Sequence, residues 1–326
     1  MTTGTGKVFG IADESSYATY TAPLKWIEFN SESIKANPQP YEAERLDGRP
    51  YQTTNDFRQI IKGAGGDTEF DVTQKGMGKL FLAMLGAVAT SQPDVVNMPL
   101  EFLHTFTPSR AGWHSKSFSV LKNIPAPDDT DFPFAYAGGV VTKWDLKAAL
   151  NQALKLTLTW DFMKEFTDKT VGVPSFPTNN LAFIDIDLAI EIDGASSCIS
   201  ELGITEDRPL KTDRWCLGGT KKRPLLNGKA KITGTISKDF EDITLYQKFI
   251  SGAHAALILT ASLGEIDAGK ANPFKLVVTV PDIVFTGETP TIGGQDLVQQ
   301  SLPWTALDNG TDPIITFEYS TSDATP

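Results

Sequence analysis

The chain has 326 residues, 40 % of them hydrophobic, with 19 Phe and 6 Trp, which suits more than one folded core and excludes wholesale disorder. Lysine and arginine number 29 against 40 acidic residues, a formal charge of −11, and that balance argues against a groove specialised to grip phosphate backbone. Cys198 and Cys216 make no disulfide framework and read as free thiols of a reducing cytoplasm, no apolar run approaches the roughly 20 residues of a membrane span, and residues 1–7 lack the apolar core of a signal peptide.

Residues 1–22 are small and polar and read as an arm that orders only against a partner. Alternation across Lys25–Lys35 predicts a half-buried strand. An irregular loop follows through Pro38, Pro40, Gly48 and Pro50, and a loop that long inside a compact domain is usually functional. Phe57–Lys62 and Thr68–Thr73 predict a hairpin around Gly63–Gly66. Helix formers fill Gly76–Ala87, with Gly86 as a C-terminal cap. Phe102–Thr107, Phe118–Lys122 and Val140–Leu146 read as strands. Lys155–Phe162 and Asp185–Ile192 alternate strictly, the second with acids opposite its apolar side. Strands of that kind predict antiparallel sheets with one face in water. Phe240–Ile250, ahead of Gly252, has the spacing of a helix with one apolar face.

The chain also says the same thing twice. Trp26-Ile27-Glu28-Phe29 is echoed by Phe183-Ile184-Asp185-Ile186, and Asp47-Gly48-Arg49-Pro50-Tyr51 by Glu206-Asp207-Arg208-Pro209-Leu210. In each copy a strand, a helix ending at Gly-Ala and closing strands that reach a Trp (Trp160, Trp304) follow. A repeat of about 140–160 residues points to two similar domains. The expected plan is an N-terminal arm (1–22), a first domain (23–168), a linker (169–180) and a second domain (181–326). Each domain is mainly β with one flanking helix.

Catalytic patterns do not stand out. His104, His114 and His254 lie in no motif that pairs a base with a nucleophile. Gly4-Thr5-Gly6-Lys7 lacks the strand, spacing and Ser/Thr of a phosphate loop. Asp128–Asp131 lacks the glycine and bidentate Glu of a calcium loop, and no zinc-type spacing occurs. Glu69 and Asp71 share one strand face, which a solvated surface explains more simply than a catalytic pair. Neither a metal nor a cofactor is expected. The recurring Arg-Pro is more informative. Its plain reading is turn chemistry; its sharper one is a pair of interface loops, with Arg49, Pro50, Tyr51, Arg208, Pro209 and Trp215 meeting a neighbouring subunit.

Gly10-Ile11-Ala12-Asp13-Glu14-Ser15-Ser16-Tyr17-Ala18-Thr19 and Trp26–Ile34 together resemble the start of major tail tube proteins of long-tailed phages infecting actinobacteria. Gly65–Val72 and Lys75–Phe81 are similar to that family too, and the resemblance spans essentially the whole chain. One departure lies in the first long loop, where Glu42, Glu44 and Asp47 accompany Arg45 and Arg49 in place of an expected basic cluster. The resemblance implies tandem rolled β-sandwich domains, each flanked by one helix. It implies rings whose inner strands join into a barrel and stack into the tube that passes DNA. The implied partners are further copies of the chain, the tail terminator, tape measure and distal tail proteins, and double-stranded DNA in transit without specific binding. The implied location is the virion tail, after synthesis in the host bacterial cytoplasm, with no membrane partner. Two domains per chain predict a homotrimeric ring with pseudo-sixfold symmetry, a six-chain ring being the alternative. A lumen that passes DNA should repel phosphate, and Asp185, Asp187 and Glu191 are its candidate acids. Competing expectations are the tube of a contractile injection machine, a stand-alone β-sandwich binding module and, last, an enzyme.

Overall fold

Strict alternation gives Lys155–Phe162 one dry and one wet side: Leu156, Leu158, Trp160 and Phe162 are buried while Lys155, Thr157 and Thr159 are not. That pattern governs the whole fold. The computed structural model describes residues 6–46, 48–126, 128, 130–287, 289 and 298–326; Gly4, Thr5, Asp47 and Asp129 of the motifs above fall outside them. The first half contains β1 (Val8–Asp13), β2 (Lys25–Ile27), β3 (Ser31–Glu32), β4 (Lys35–Pro38), β5 (Tyr41–Glu42), β6 (Phe57–Arg58) and β7 (Ile61–Asp71). It continues with α1 (Gly78–Leu85), β8 (Gly86–Ser91), β9 (Phe102–Pro108), α2 (Arg110–Ser115), β10 (Phe118–Pro125), β11 (Asp131–Ala149), β12 (Lys155–Phe162) and β13 (Lys164–Phe166). The second half contains β14 (Leu188–Ile192), β15 (Ala195–Ser196), β16 (Glu201–Asp207), β17 (Leu210–Lys211), β18 (Leu225–Leu226) and β19 (Lys231–Asp239). It ends with α3 (Thr244–Ser251), β20 (His254–Leu263), β21 (Phe274–Phe285), β22 (Gln299–Ala306) and β23 (Thr316–Thr321).

Every strand pairing in the ladders is antiparallel, and the pairings recur. β4–β7, β7–β12, β12–β11, β11–β10, β10–β1 and β11–β13 in the first half have counterparts in β16–β19, β19–β22, β22–β21, β21–β20, β20–β14 and β21–β23. Among the described residues two strand ladders cross between the halves, and isolated bridges join Thr73 to Ala182 and Ala153 to Ile184. β11 runs against β16 from Lys143↔Asp207 to Ala149↔Glu201, and β9 of the first half adds to β23 of the second. One large apolar cluster, from Phe9 to Tyr319, fills the space behind these sheets, and a small one of Trp26, Leu121 and Ala135 lies apart from it.

Several elements depart from the sequence reading. The expected arm contains β1, whose Phe9 and Ile11 are fully buried between β2 and β10; apolar residues two apart outweighed the polar surroundings. The strand expected over Lys25–Lys35 is three short pieces. The glycines at 63–66 are not a hairpin turn. They lie inside the continuous strand β7, where a Cβ on Gly66 would sit 2.5 Å from the Ser33 carbonyl oxygen; glycine here marks a close backbone approach. The strand expected over Asp185–Ile192 begins only at Leu188, because Asp185–Asp187 form a 3-10 turn. Both expected helices stop where predicted, Gly86 and Gly252 taking left-handed conformations at their C-caps, but the first half has a second, short helix, α2, started by the Ser109 side chain accepting from the Gly112 amide. Among the described residues no helix is long and apolar enough to cross a membrane.

Candidate functional site

The feature that joins the halves is a sheet in the order β7–β12–β11–β16–β19–β22. Its register places both residues of every second opposed pair on a shared wet face. Asp67, Glu69 and Asp71 of β7 lie opposite Thr159, Thr157 and Lys155 of β12. Lys143, Asp145 and Lys147 of β11 lie opposite Asp207, Thr205 and Gly203 of β16. Thr233, Thr235 and Ser237 of β19 lie opposite Thr305, Pro303 and Ser301 of β22, and the face is hollowed between β11 and β22 into an open polar groove. Lys231 and Asp239 complete it at the ends of β19.

Acids outnumber lysines on this surface, and short polar contacts hold them in place. Lys155 Nζ lies 3.0 Å from Glu69 Oε1 and Lys147 Nζ lies 2.7 Å from Glu201 Oε1. Thr159 Oγ1 donates to Asp67 at 2.6 Å, Thr205 Oγ1 to Asp145 at 3.1 Å, and Asn30 Nδ2 to Asp71 at 2.6 Å. The hydrogen bond from Lys155 holds the Glu69 carboxyl below its usual range, and the same bond raises Lys155. These groups stay charged at neutral pH. The reverse side of the sheet carries Phe70, Leu158, Trp144, Ile204, Ile232 and Trp304 into the core.

The segment between β16 and β19 folds back over the first half. Arg208 and Glu206 are buried together, with Arg208 Nη2 donating to Glu206 at 2.8 Å and Nη1 to the Val141 carbonyl at 3.2 Å. Trp144 Nε1 also donates to Glu206, and the guanidinium lies 4.6 Å from the Trp113 ring centre. Lys221 Nζ reaches both oxygens of Asp161 at 2.7 Å and lies 5.6 Å from the Trp215 ring. Burial pushes the Asp161 carboxyl up, against the pull of Lys221. Arg223 donates to the His114 carbonyl at 2.7 Å and to Ser117 Oγ at 2.9 Å.

The predicted interface residues therefore separate. Arg208 is buried inside its own chain, and Trp215 is half-buried beside Lys221. Pro209 is exposed, its carbonyl accepting from the Asn227 amide. Arg49, Pro50 and Tyr51 lie exposed on the loop between β4 and β7. The predicted lumen acids lie elsewhere than the wet face: Asp185 accepts from the Asn151 amide at 2.8 Å, Asp187 from the Ile184 amide at 3.0 Å, and Glu191 is exposed on β14. Sequence reasoning reached Glu69 and Asp71 as one strand face but missed Asp67, Asp145, Glu201 and Asp207. Only alternation within each strand signalled them; their common surface depends on pairing across the halves.

His104 bridges Thr90 Oγ1 and the Asp323 carbonyl, at 2.8 Å each, inside the core, and His254 pairs with Asp282 at 2.7 Å. Among the described residues no group of three His, Cys, Asp or Glu is placed to hold a metal. What the fold presents is a broad, ordered, acid-rich sheet face in an antiparallel-β protein whose strands carry on from one half into the next. Those are the features of a structural building block. The chain belongs to the phage tail tube protein family, whose profile matches residues 4–306, and its role is that of a tail tube component of the virion. No curated protein matches it.

Proposed function

We propose that three copies of this chain close head to tail into a ring of six similar halves, and that the acid-rich face of the β7–β22 sheet lines the channel. The carrying observation is the β11–β16 junction, where the second half extends the first half's sheet without a break in register. The recurrence of the same pairings in both halves supports a duplicated domain, with boundaries close to 23–168 and 181–326 and with β1 belonging to the first. Repeating such a junction between chains would close the sheet and remove its edges, and a head-to-tail contact of this kind is heterologous.

Asp67, Glu69, Asp71, Asp145, Glu201, Asp207 and Asp239 would then face passing DNA, with Lys143, Lys147, Lys155 and Lys231 each opposite or beside an acid. Cations held by fixed carboxylates offer phosphate little to bind, so the strand slides rather than sticks. The rings stack into the tube of a long flexible tail, and the terminator, tape measure and distal tail proteins engage its ends and lumen. Synthesis takes place in the host bacterial cytoplasm. Negative-stain electron microscopy of the concentrated protein, with its mass in solution, tests the reading. Stacked rings with a central hole and a three-chain mass are expected; a six-chain ring would overturn the stoichiometry, and a persistent monomer the self-assembly.

A further inference from the structure

α1 and α3 occupy the same position in their halves, each following the strand that pairs with the Trp-bearing closing strand, yet they are packed differently. In α1, Leu80, Phe81, Leu82, Ala83, Met84 and Leu85 are all buried, under the β8–β9 hairpin and α2. The second half has no such insertion: α3 leads through Gly252 directly into β20. Only Leu245 of α3 is buried, while Ile243 at its N-cap is 52 % exposed and Ile250, one seven-residue step further along the same face, is 64 % exposed. Phe240, in the segment that leads into α3, is also exposed.

The two long loops differ in the opposite sense. Between β16 and β19, the loop is pinned to the first half through Arg208, Lys221 and Arg223, and its β18 touches α2, which packs on α1. Between β4 and β7, the loop has a built internal structure, with β5 paired to β6 and Arg45 bonded to Asp56 at 2.6 Å. Yet Tyr41, Leu46, Tyr51 and Phe57 project from it into solvent, Tyr51 at 85 %. A loop that is already ordered and presents aromatic side chains is organised for contact rather than for solvent.

We infer that the loop between β4 and β7 of one copy docks on the exposed apolar face of α3 in a second copy of this chain. The occupant follows from continuity with the internal junction. Inside the chain, the second half's loop reaches over the first half toward its helix; at a chain-to-chain junction, the first half's loop stands in that same relation to the second half of the neighbour. There it finds α3, which among the described residues lacks the β8–β9 and α2 insertion that covers α1. The inference rests on the head-to-tail ring proposed above and adds the surface that makes the lateral contact.

Cysteine pairing tests it in the full chain. Cys198 and Cys216, both exposed, are first replaced by Ser. Leu46→Cys or Tyr51→Cys is then combined with Ile243→Cys or Ile250→Cys, giving four double variants, and ring formation is followed by electron microscopy before mild oxidation. At least one double variant should yield covalent dimers and trimers on a non-reducing denaturing gel, at least tenfold above either single variant and above a Leu150→Cys/Ile250→Cys control. Rings without such crosslinks in all four would overturn the docking while leaving the ring intact. Failure of the unmodified chain to form rings would overturn the assembly itself, and the docking with it. As an independent readout, Ile250→Glu should leave the melting temperature of the monomer unchanged and raise the concentration needed for assembly at least tenfold. An unchanged assembly concentration would overturn the inference.

Discussion

Glu201 and Glu206 lie on one strand, β16, five residues apart and on opposite faces, and each is paired with a cation. Glu206 is buried with Arg208 and takes a second bond from Trp144. Glu201 meets Lys147 in the open, with side chains 44 % and 53 % exposed. A buried charge left without its partner is costly, whereas an exposed pair gains little over solvation. The contrast teaches that this sheet divides its labour by face. The core side fixes how the halves join, and the wet side can be recharged with little effect on folding.

The sharpest way to break the contrast is Arg208→Ala. It strands the Glu206 carboxylate and should cost about 3–5 kcal/mol in chemical denaturation, while Glu206→Leu/Arg208→Met should recover more than half of that loss. A result as small as that of an exposed pair would show that water reaches Glu206. Gly234→Ala comes next. A Cβ there would lie 2.2 Å from the Gly203 carbonyl oxygen and 2.3 Å from the Trp304 ring, so a loss of about 1–3 kcal/mol is expected. Gly203, on the wet face, has open space above it, and Gly203→Ala measured alongside should be far milder.

His104 gives a pH-dependent comparison. Burial holds its pKa below the ordinary value, so the native state keeps it neutral while the unfolded state takes up a proton first. Its effect is absent above the unfolded value near 6.5 and becomes destabilising as pH falls below it, by up to about 1.4 kcal/mol per pH unit. His104→Gln should flatten that part of the stability profile between pH 7 and 5; an unchanged slope would assign it to other groups. The smallest effect belongs to Lys147→Ala, expected to cost below about 1 kcal/mol. The same substitution uncovers Glu201 on the wet face, so DNA ejection from virions assembled with it should be no slower than from unmodified ones.

What was legible in the sequence follows from the range of the forces involved. Helix ends at Gly86 and Gly252 and the alternation of β12 are set by neighbours in the chain, and they appear where the sequence places them. The glycines at 63–66 misled because a tight turn and a close strand approach need the same missing Cβ, and only the carbonyls of Ser33, Trp160 and Phe162 decide between them. β1 was hidden because it is only six residues long, is interrupted by Gly10 and is flanked by small polar residues on both sides. The recurring Arg-Pro marks two loops that the structure builds differently. It could not reveal that Arg208 turns inward, since the Trp113 and Trp144 that receive it are remote in sequence. The wet face was illegible for the same reason: its acids come from separate strands of both halves, brought together by register alone.

The bond from the Tyr319 hydroxyl to the Thr73 carbonyl spans 246 residues, and the Phe81 ring of α1 is flanked by Phe317 and Tyr319 as well as Phe106. During translation, the first half thus emerges with part of the wall around its helix still unmade. Contacts so distant in sequence close late and slow the final folding step. A nascent first half accordingly carries an open seam beside α1, which closes only once β23 has been made.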